Sequence, residues 1–328
     1  MKRVLIAAAL LAAPLATAAQ TSGGPADPPT FRAGAELVAL AVTVVDEGRS
    51  HVSGLTVSDF VVLEDGVEQP LSYFAASATP IDVTLLVDAS ASMGDKMAVV
   101  RDAVRGLTRS LREDDRAAIV EFRETTTERQ AMTGDRAAIE AALDRVSPSG
   151  GTALYTALYV ALSELRSAAR SDRLRRQAIV VLSDGEDTTS LVGSEDVLER
   201  ARRSGVAVYA IALHTPTSKH GTMRPHGGGA PITRGEHALR RLAQETGGVA
   251  FFPSALRDLT GVYGVIAEEL GRQYMIGYTP SGGAGEDAWR AVRVRLPSHP
   301  RARIRTRSGY YADDSPAFAV SRLRHDRP

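Results

Sequence analysis

A chain of 328 residues with 44% hydrophobic side chains carries enough apolar material for one large domain with an appended module, or for two ordinary domains, and this excludes a disordered protein. Its 39 basic and 39 acidic residues cancel, so no global field gathers nucleic acid or an anionic membrane. Cysteine is absent, which removes disulfides, thiolate metal sites, a cysteine nucleophile and a lipid-bearing cysteine.

Residues 1–19 run from Met-Lys-Arg through the apolar stretch Val4 to Leu15 to Ala16-Thr17-Ala18, the charged, greasy and small-residue order of a secretory signal peptide. The apolar part is too short to span a bilayer, so the expectation is an exported protein, periplasmic or secreted, with no stable membrane insertion. Residues 20–35 form a Pro/Gly leader without periodicity. Residues 36–80 turn to short β-type runs, "ELVALAVTVVD" and "FVVLEDGVEQPLSYF", and Asp65-Gly66 between apolar stretches predicts a tight hairpin. This is read as a small N-terminal β module.

From residue 81 to 272 buried strands alternate with amphipathic helices. "IDVTLLVD" is a nearly continuous apolar run, as a parallel strand covered on both faces would be. Met97, Val100, Val104, Leu107 and Leu111 then recur at spacings of three and four, so a helix follows. Further strands are expected at Ala117–Phe122, Ala178–Asp184, Val206–Leu213 and Val249–Phe252, with helices near Arg136–Val146, Ala153–Ala169, Ser194–Ser204, Glu236–Glu245 and Ala255–Leu270. Strands alternating with helices imply an α/β fold: a doubly wound, mostly parallel sheet with helices on both faces. Residues 273–312 return to alternation in "QYMIGYTP", "WRAVRVRL" and "ARIRTRSGYYA", three expected strands that pair with the N-terminal module as a β-sandwich. Residues 313–328 read as a polar tail. The Arg-rich runs 173–176 and 301–307 read as solvated surface.

Oxygen is concentrated in "LLVDASASMG", where Asp88, Ser90 and Ser92 follow the end of the first α/β strand. Ligands bind in open α/β sheets beyond the carboxyl ends of the strands, where strand order reverses. Two other segments carry matching groups: "SPSGGTAL", with Thr152 after two glycines, and "VVLSDGED", with Asp184 at a strand end. Taken singly, Asp88 to Ser92 and Thr152 also read as helix caps, and Asp184-Gly185 as a turn.

Together, Asp88-x-Ser90-x-Ser92, Thr152 and Asp184 resemble the metal-ion-dependent adhesion site of von Willebrand factor type A domains, over about Ile81 to Arg272. The flanks "LTVSDFVVLEDGVEQPLSYF", "QYMIGYTP" and "SGYYA" are similar to a bacterial family of exported von Willebrand factor A-related proteins named for Acidobacteria. The resemblance implies a divalent cation, Mg²⁺ with Mn²⁺ or Ca²⁺ as alternatives. It implies that Ser90 and Ser92 bind directly, Thr152 directly or through water, and Asp88 and Asp184 through water. One position is then left for an Asp or Glu side chain of a protein partner. A hard cation that keeps several waters suits a site of hydroxyls with two carboxylates. Those carboxylates, about 4 Å apart at an effective dielectric near 20, would repel by roughly 4 kcal/mol, so metal is expected to stabilise the domain.

An enzyme is not expected. No G-x-S-x-G elbow is present, no phosphate-binding glycine loop appears, and Ser90 stands where a phosphatase of the haloacid dehalogenase type needs a second acid. The expectation is therefore an adhesion or assembly module. The alternatives are a structural envelope protein with a vestigial site, or a metal-dependent hydrolase. His214, His220, His226 and His237 crowd residues 214–237, but their spacing fits no structural zinc motif, and the segment reads as a glycine-rich insertion.

Overall fold

The computed structural model describes residues 37–48, 50–76, 79–168, 174–183, 187–213, 222–223, 232–281 and 288–312. The signal-peptide and leader assignments, the C-terminal tail, Asp184 and most of the histidine-bearing segment lie outside these residues.

In chain order the elements are β1 (Val38–Val45), β2 (Val61–Glu64), β3 (Val67–Gln69), β4 (Leu71–Ala76), β5 (Ile81–Asp88), α1 (Met97–Ser110), β6 (Arg116–Phe122), β7 (Thr126–Thr133), α2 (Arg136–Asp144) and α3 (Leu154–Ala168). They continue with β8 (Arg176–Ser183), α4 (Ser194–Ser204), β9 (Ala207–Ala212), the short hairpin β10 (Thr222–Met223) and β11 (Ile232–Thr233), α5 (Arg234–Thr246), β12 (Ala250–Phe251) and α6 (Leu259–Arg272). The last strands are β13 (Tyr274–Tyr278), β14 (Trp289–Arg295), β15 (Arg303–Arg305) and β16 (Gly309–Tyr311).

The central sheet has the order β12-β9-β8-β5-β6-β7, parallel except for the edge strand β7. All eight residues of β5 are buried, as the nearly continuous apolar run requires of a strand with helices on both faces. Because side chains alternate across a strand, Val83, Leu85 and Val87 pack with residues of α1, α2 and α6, whereas Leu86 packs with residues of α3, α4 and α5. After β5 the chain places β6 on one side and β8 on the other, so strand order reverses between β5 and β8.

Strand β7 is absent from the sequence-based reading. Its text, "TTERQAMT", is polar, its burial follows no clean alternation, and its register against β6 shifts twice. A half-solvated edge strand needs no apolar period to form its ladder, so periodicity does not reveal it. Helix α6 begins four residues later than expected, because Leu256–Asp258 form a 3₁₀ turn first.

The terminal strands form two antiparallel sheets, β15-β1-β13-β4 and β16-β14-β2-β3, that share one core of Val38, Leu40, Val42, Phe60, Val62, Ile276, Val294 and Tyr310 among others. The Asp65-Gly66 turn joins β2 to β3 with both residues at positive φ, 48° and 85°, as a two-residue hairpin demands. The expected third C-terminal strand divides in two: β15 pairs with β1 in one sheet, and β16 with β14 in the other.

The arginine runs are not solvated surface throughout. Arg176 is buried and donates to the carbonyls of Thr79 and Leu270 and to Gln273 Oε1, while Arg175 and Arg116 both pair with Asp82. Arg307 is buried, and Arg305 pairs with buried Glu269 of α6. Of these guanidiniums, Arg305 on Glu269 and Arg176 on Thr79 O and Gln273 tie the sandwich to the α/β domain, a role invisible in their charge alone. Among the described residues no helix is long and apolar enough to cross a membrane.

Candidate metal centre

Strand β5 ends on Asp88, and the chain then makes a tight turn, with Ala91–Met93 as one 3₁₀ turn before α1. Asp88 is fully buried. Its Oδ1 accepts the Ser90 N–H at 2.8 Å and its Oδ2 accepts the Ser183 hydroxyl at 2.6 Å, so both carboxylate oxygens are oriented by the protein. Ser90 is buried and Ser92 exposed, and their hydroxyls share a hydrogen bond of 3.0 Å. The three groups therefore rise from a buried acid to a solvent-facing hydroxyl.

The loop before α3 docks against this turn through backbone bonds. Ser149 N–H donates to Ala89 O at 2.8 Å, and Ala91 N–H donates to Gly150 O at 3.0 Å. Gly150, at φ +73°, makes the reversal that carries the chain on to Thr152. Thr152 is buried; its N–H donates to Thr188 Oγ1 at 3.0 Å, and its carbonyl accepts from Thr188 N and Thr189 N at 2.8 and 3.2 Å. The loop after β8 continues along α3: Tyr155 N–H donates to Asp187 Oδ1, Thr156 N–H to Ser190 Oγ, and Leu191 N–H to Thr156 Oγ1.

Asp88, Ser90, Ser92 and Thr152 thus come from two loops stitched to each other, and a third loop is bonded to Thr152. Asp184, at the start of that third loop, lies outside the described residues. Three participants carry no signal in the motif. Ser183 fixes the second oxygen of Asp88, and its only cue is its place beside Asp184 at a strand end. Thr188 brackets Thr152 from a segment with no recognisable pattern. The carboxylate of Glu124, at the β6–β7 tip, accepts the N–H of Gly151 and is held below the usual carboxylate range chiefly by that backbone hydrogen bond.

The donor set fits a small hard cation. Adjacent ligands of an octahedral ion with bonds of about 2.0 to 2.1 Å stand roughly 3.0 Å apart; the two serine hydroxyls are separated by 3.0 Å. Among the described residues no three His, Asp or Glu side chains gather to hold a metal, and the described oxygens at this turn are the serine hydroxyls and the oriented carboxylate of Asp88. Of the four histidines of residues 214–237, only His237 is described, exposed near the start of α5.

Fold and loops together define a doubly wound α/β domain that gathers hydroxyls and the Asp88 carboxylate at the reversal point of its sheet. The model of the von Willebrand factor type A domain family matches residues 82–263, and the chain belongs to that family. It is similar to a UPF0353 protein of Mycolicibacterium paratuberculosis (strain ATCC BAA-968 / K-10), 25% identical over 238 residues that cover 68% of this chain and 70% of that one. It is also similar to a UPF0353 protein of Mycobacterium tuberculosis (strain ATCC 25177 / H37Ra), 23% identical over 210 residues, covering 60% of this chain and 62% of the relative, less than two thirds of its length. Similar solved structures include a von Willebrand factor type A protein of Catenulispora acidiphila, 14% identical, covering 84% of this chain and 73% of that chain with a TM-score of 0.48. Another is proximal thread matrix protein 1 of the mussel byssus with a zinc-occupied MIDAS motif, 17% identical, covering 63% and 49% with a TM-score of 0.45.

Proposed function

We propose that this protein is an exported binding module, not an enzyme, that captures an acidic side chain of a protein partner through a divalent cation. Ser90 and Ser92 would hold the ion directly, Thr152 directly or through water, and Asp88 and Asp184 through bound water. The observation that carries this reading is the pair of serine hydroxyls at the spacing of neighbouring ligands, set above an acid whose two oxygens are already committed to Ser90 and Ser183. Mg²⁺ is the ion that the hydroxyl-rich set suits, with Mn²⁺ and Ca²⁺ as alternatives. When bound, it supplies Lewis-acid attraction for a carboxylate oxygen.

The chain's own residues do the rest. Ser90 and Ser92 add no charge, so they do not quench the ion's pull on an incoming acid. Exposed Ser92 marks the side from which a partner arrives. Export rests on the leader pattern of residues 1–19.

Calorimetric titration of the mature protein with Mg²⁺ and Mn²⁺ tests the metal, and capture of envelope proteins with and without EDTA tests the partner. The expected result is chelator-sensitive capture that Ser90→Ala plus Ser92→Ala abolishes while the fold persists. No heat with either metal favours an envelope protein with a vestigial site. Turnover of a phosphate ester or peptide that Asp88→Ala abolishes favours the hydrolase.

A further inference from the structure

Glu124 lies outside the metal motif and well before Thr152 in the chain, yet the fold brings its carboxylate onto the segment that presents Thr152. It sits in the three-residue tip between β6 and β7, which Arg123 N–H closes onto Thr125 O at 3.0 Å. That tip is braced from below. Buried Glu121 receives Arg129 through two nitrogens, at 3.0 and 2.9 Å, and Arg123 through a third, at 2.9 Å.

From this fixed base the tip grips the glycine loop at three successive points. Arg123 Nη1 donates to Ser149 Oγ at 2.6 Å, Glu124 accepts the Gly151 N–H, and Arg123 O accepts the Ala153 N–H at 2.7 Å. Thr152 lies between the last two. Any side chain at Gly150 would overlap the Glu124 carboxylate, so the glycine serves the carboxylate's approach as well as the backbone's turn.

We infer that Glu124 is a positioning residue for the cation site: by holding the Gly151 N–H it fixes the peptide that leads into Thr152 and so aims the Thr152 hydroxyl. The inference rests on the metal reading given above. A group that orients a ligand without touching the ion typically changes metal affinity 10- to 100-fold when removed.

The test compares wild type, Glu124→Ala and Glu124→Gln in two measurements: Mn²⁺ affinity by calorimetry, and exchange of the Gly151 amide hydrogen in metal-free protein. Glu124→Ala is expected to weaken Mn²⁺ binding at least tenfold and to speed Gly151 exchange, because the amide loses its acceptor. Glu124→Gln keeps a carbonyl acceptor and recovers most of both. If Gln is as weak as Ala in Mn²⁺ binding, the carboxylate acts through charge alone and positioning is overturned. Equal Gly151 exchange in all three proteins overturns it as well, whether or not metal binds. A wild type that takes up no Mn²⁺ sinks the metal reading, and the exchange comparison then reports separately on the Glu124–Gly151 contact.

Discussion

Glu269 in the last turn of α6 links the two parts of the molecule. It is 2% exposed and accepts from Tyr209 OH of β9 at 2.9 Å, from Thr43 Oγ1 of β1 at 3.2 Å and from the guanidinium of Arg305 in β15. One carboxylate therefore joins a helix of the α/β domain, a strand of its sheet and two strands of the sandwich. Removing one partner of a buried ion pair costs about 3 to 5 kcal/mol, because the other charge is left without compensation. One feature pulls the figure for Glu269→Ala to the lower end: the Arg305 side chain is 32% exposed, so water reaches the charge left behind. About 3 kcal/mol lowers the melting temperature of a domain this large by roughly 6 to 12 °C. Urea and thermal melts followed by circular dichroism read the loss. Replacing both partners by methionine, Glu269→Met with Arg305→Met, should recover much of it, because an apolar pair carries no desolvation penalty. A loss below about 1 kcal/mol for Glu269→Ala, or a double variant as unstable as the summed single ones, would refute the reasoning.

Mg²⁺ at about 100 times its dissociation constant should add about 2.7 kcal/mol to the unfolding free energy, read as a rise in melting temperature, and the combined Ser90→Ala and Ser92→Ala variant should show no such rise. Burial pushes the phenols of Tyr209, Tyr263, Tyr278 and Tyr310 up, so above pH 10 the unfolded chain binds fewer protons than the folded one; their stabilisation is intact below pH 10 and falls as pH rises further, by up to about 1.4 kcal/mol per unit for each. Phenolate absorbance from these four should thus appear in one step with loss of ellipticity, and gradual titration near pH 10 with the fold intact would contradict their burial. Asp135 caps α2 by accepting the Ala137 and Ala138 N–H groups at 2.9 and 3.2 Å, so Asp135→Ala should cost about 1 kcal/mol in a urea melt and leave metal affinity unchanged.

The part of the fold set by one-dimensional pattern is readable in the chain, and the part set by contact across it is not. The nearly continuous apolar run of β5, the spacing of Met97 to Leu107 in α1 and the Asp65-Gly66 turn each state their geometry locally. Asp88, Ser90 and Ser92 are legible for the same reason, since residue types at fixed offsets describe a single turn. Strand β7 has no such period, because an edge ladder against β6 and the Arg129–Glu121 pair hold it in place of an apolar face. Glu269 and Arg305 read as the polar side of a helix and of a strand, and only the docking of the sandwich on α6 turns those sides inward. Glu124 reads as a charged loop residue until the hairpin folds back to the glycine loop.

That docking also determines which face of the α/β domain stays open. The chain enters β5 directly from β4 of the sandwich and leaves α6 directly into β13, and both junctions lie at the amino ends of the parallel strands. Arg176, the first residue of β8, seals this end by donating to Thr79 O just before β5 and to Leu270 O near the end of α6. Asp88, Ser90 and Ser92 follow the opposite, carboxyl end of β5. The sandwich therefore takes up the end of the sheet that carries no hydroxyl cluster, and its buried pairs hold α6 where that helix turns into β13. With the sandwich at the opposite end, Ser92 is exposed, so under the proposed function the rate of partner capture should depend on the partner's approach and on cation occupancy, and not on a rearrangement between the two parts. Stopped-flow capture with a second phase that does not depend on partner concentration at saturating Mg²⁺ would show that a rearrangement intervenes and that the sandwich does more than hold the domain by its closed end.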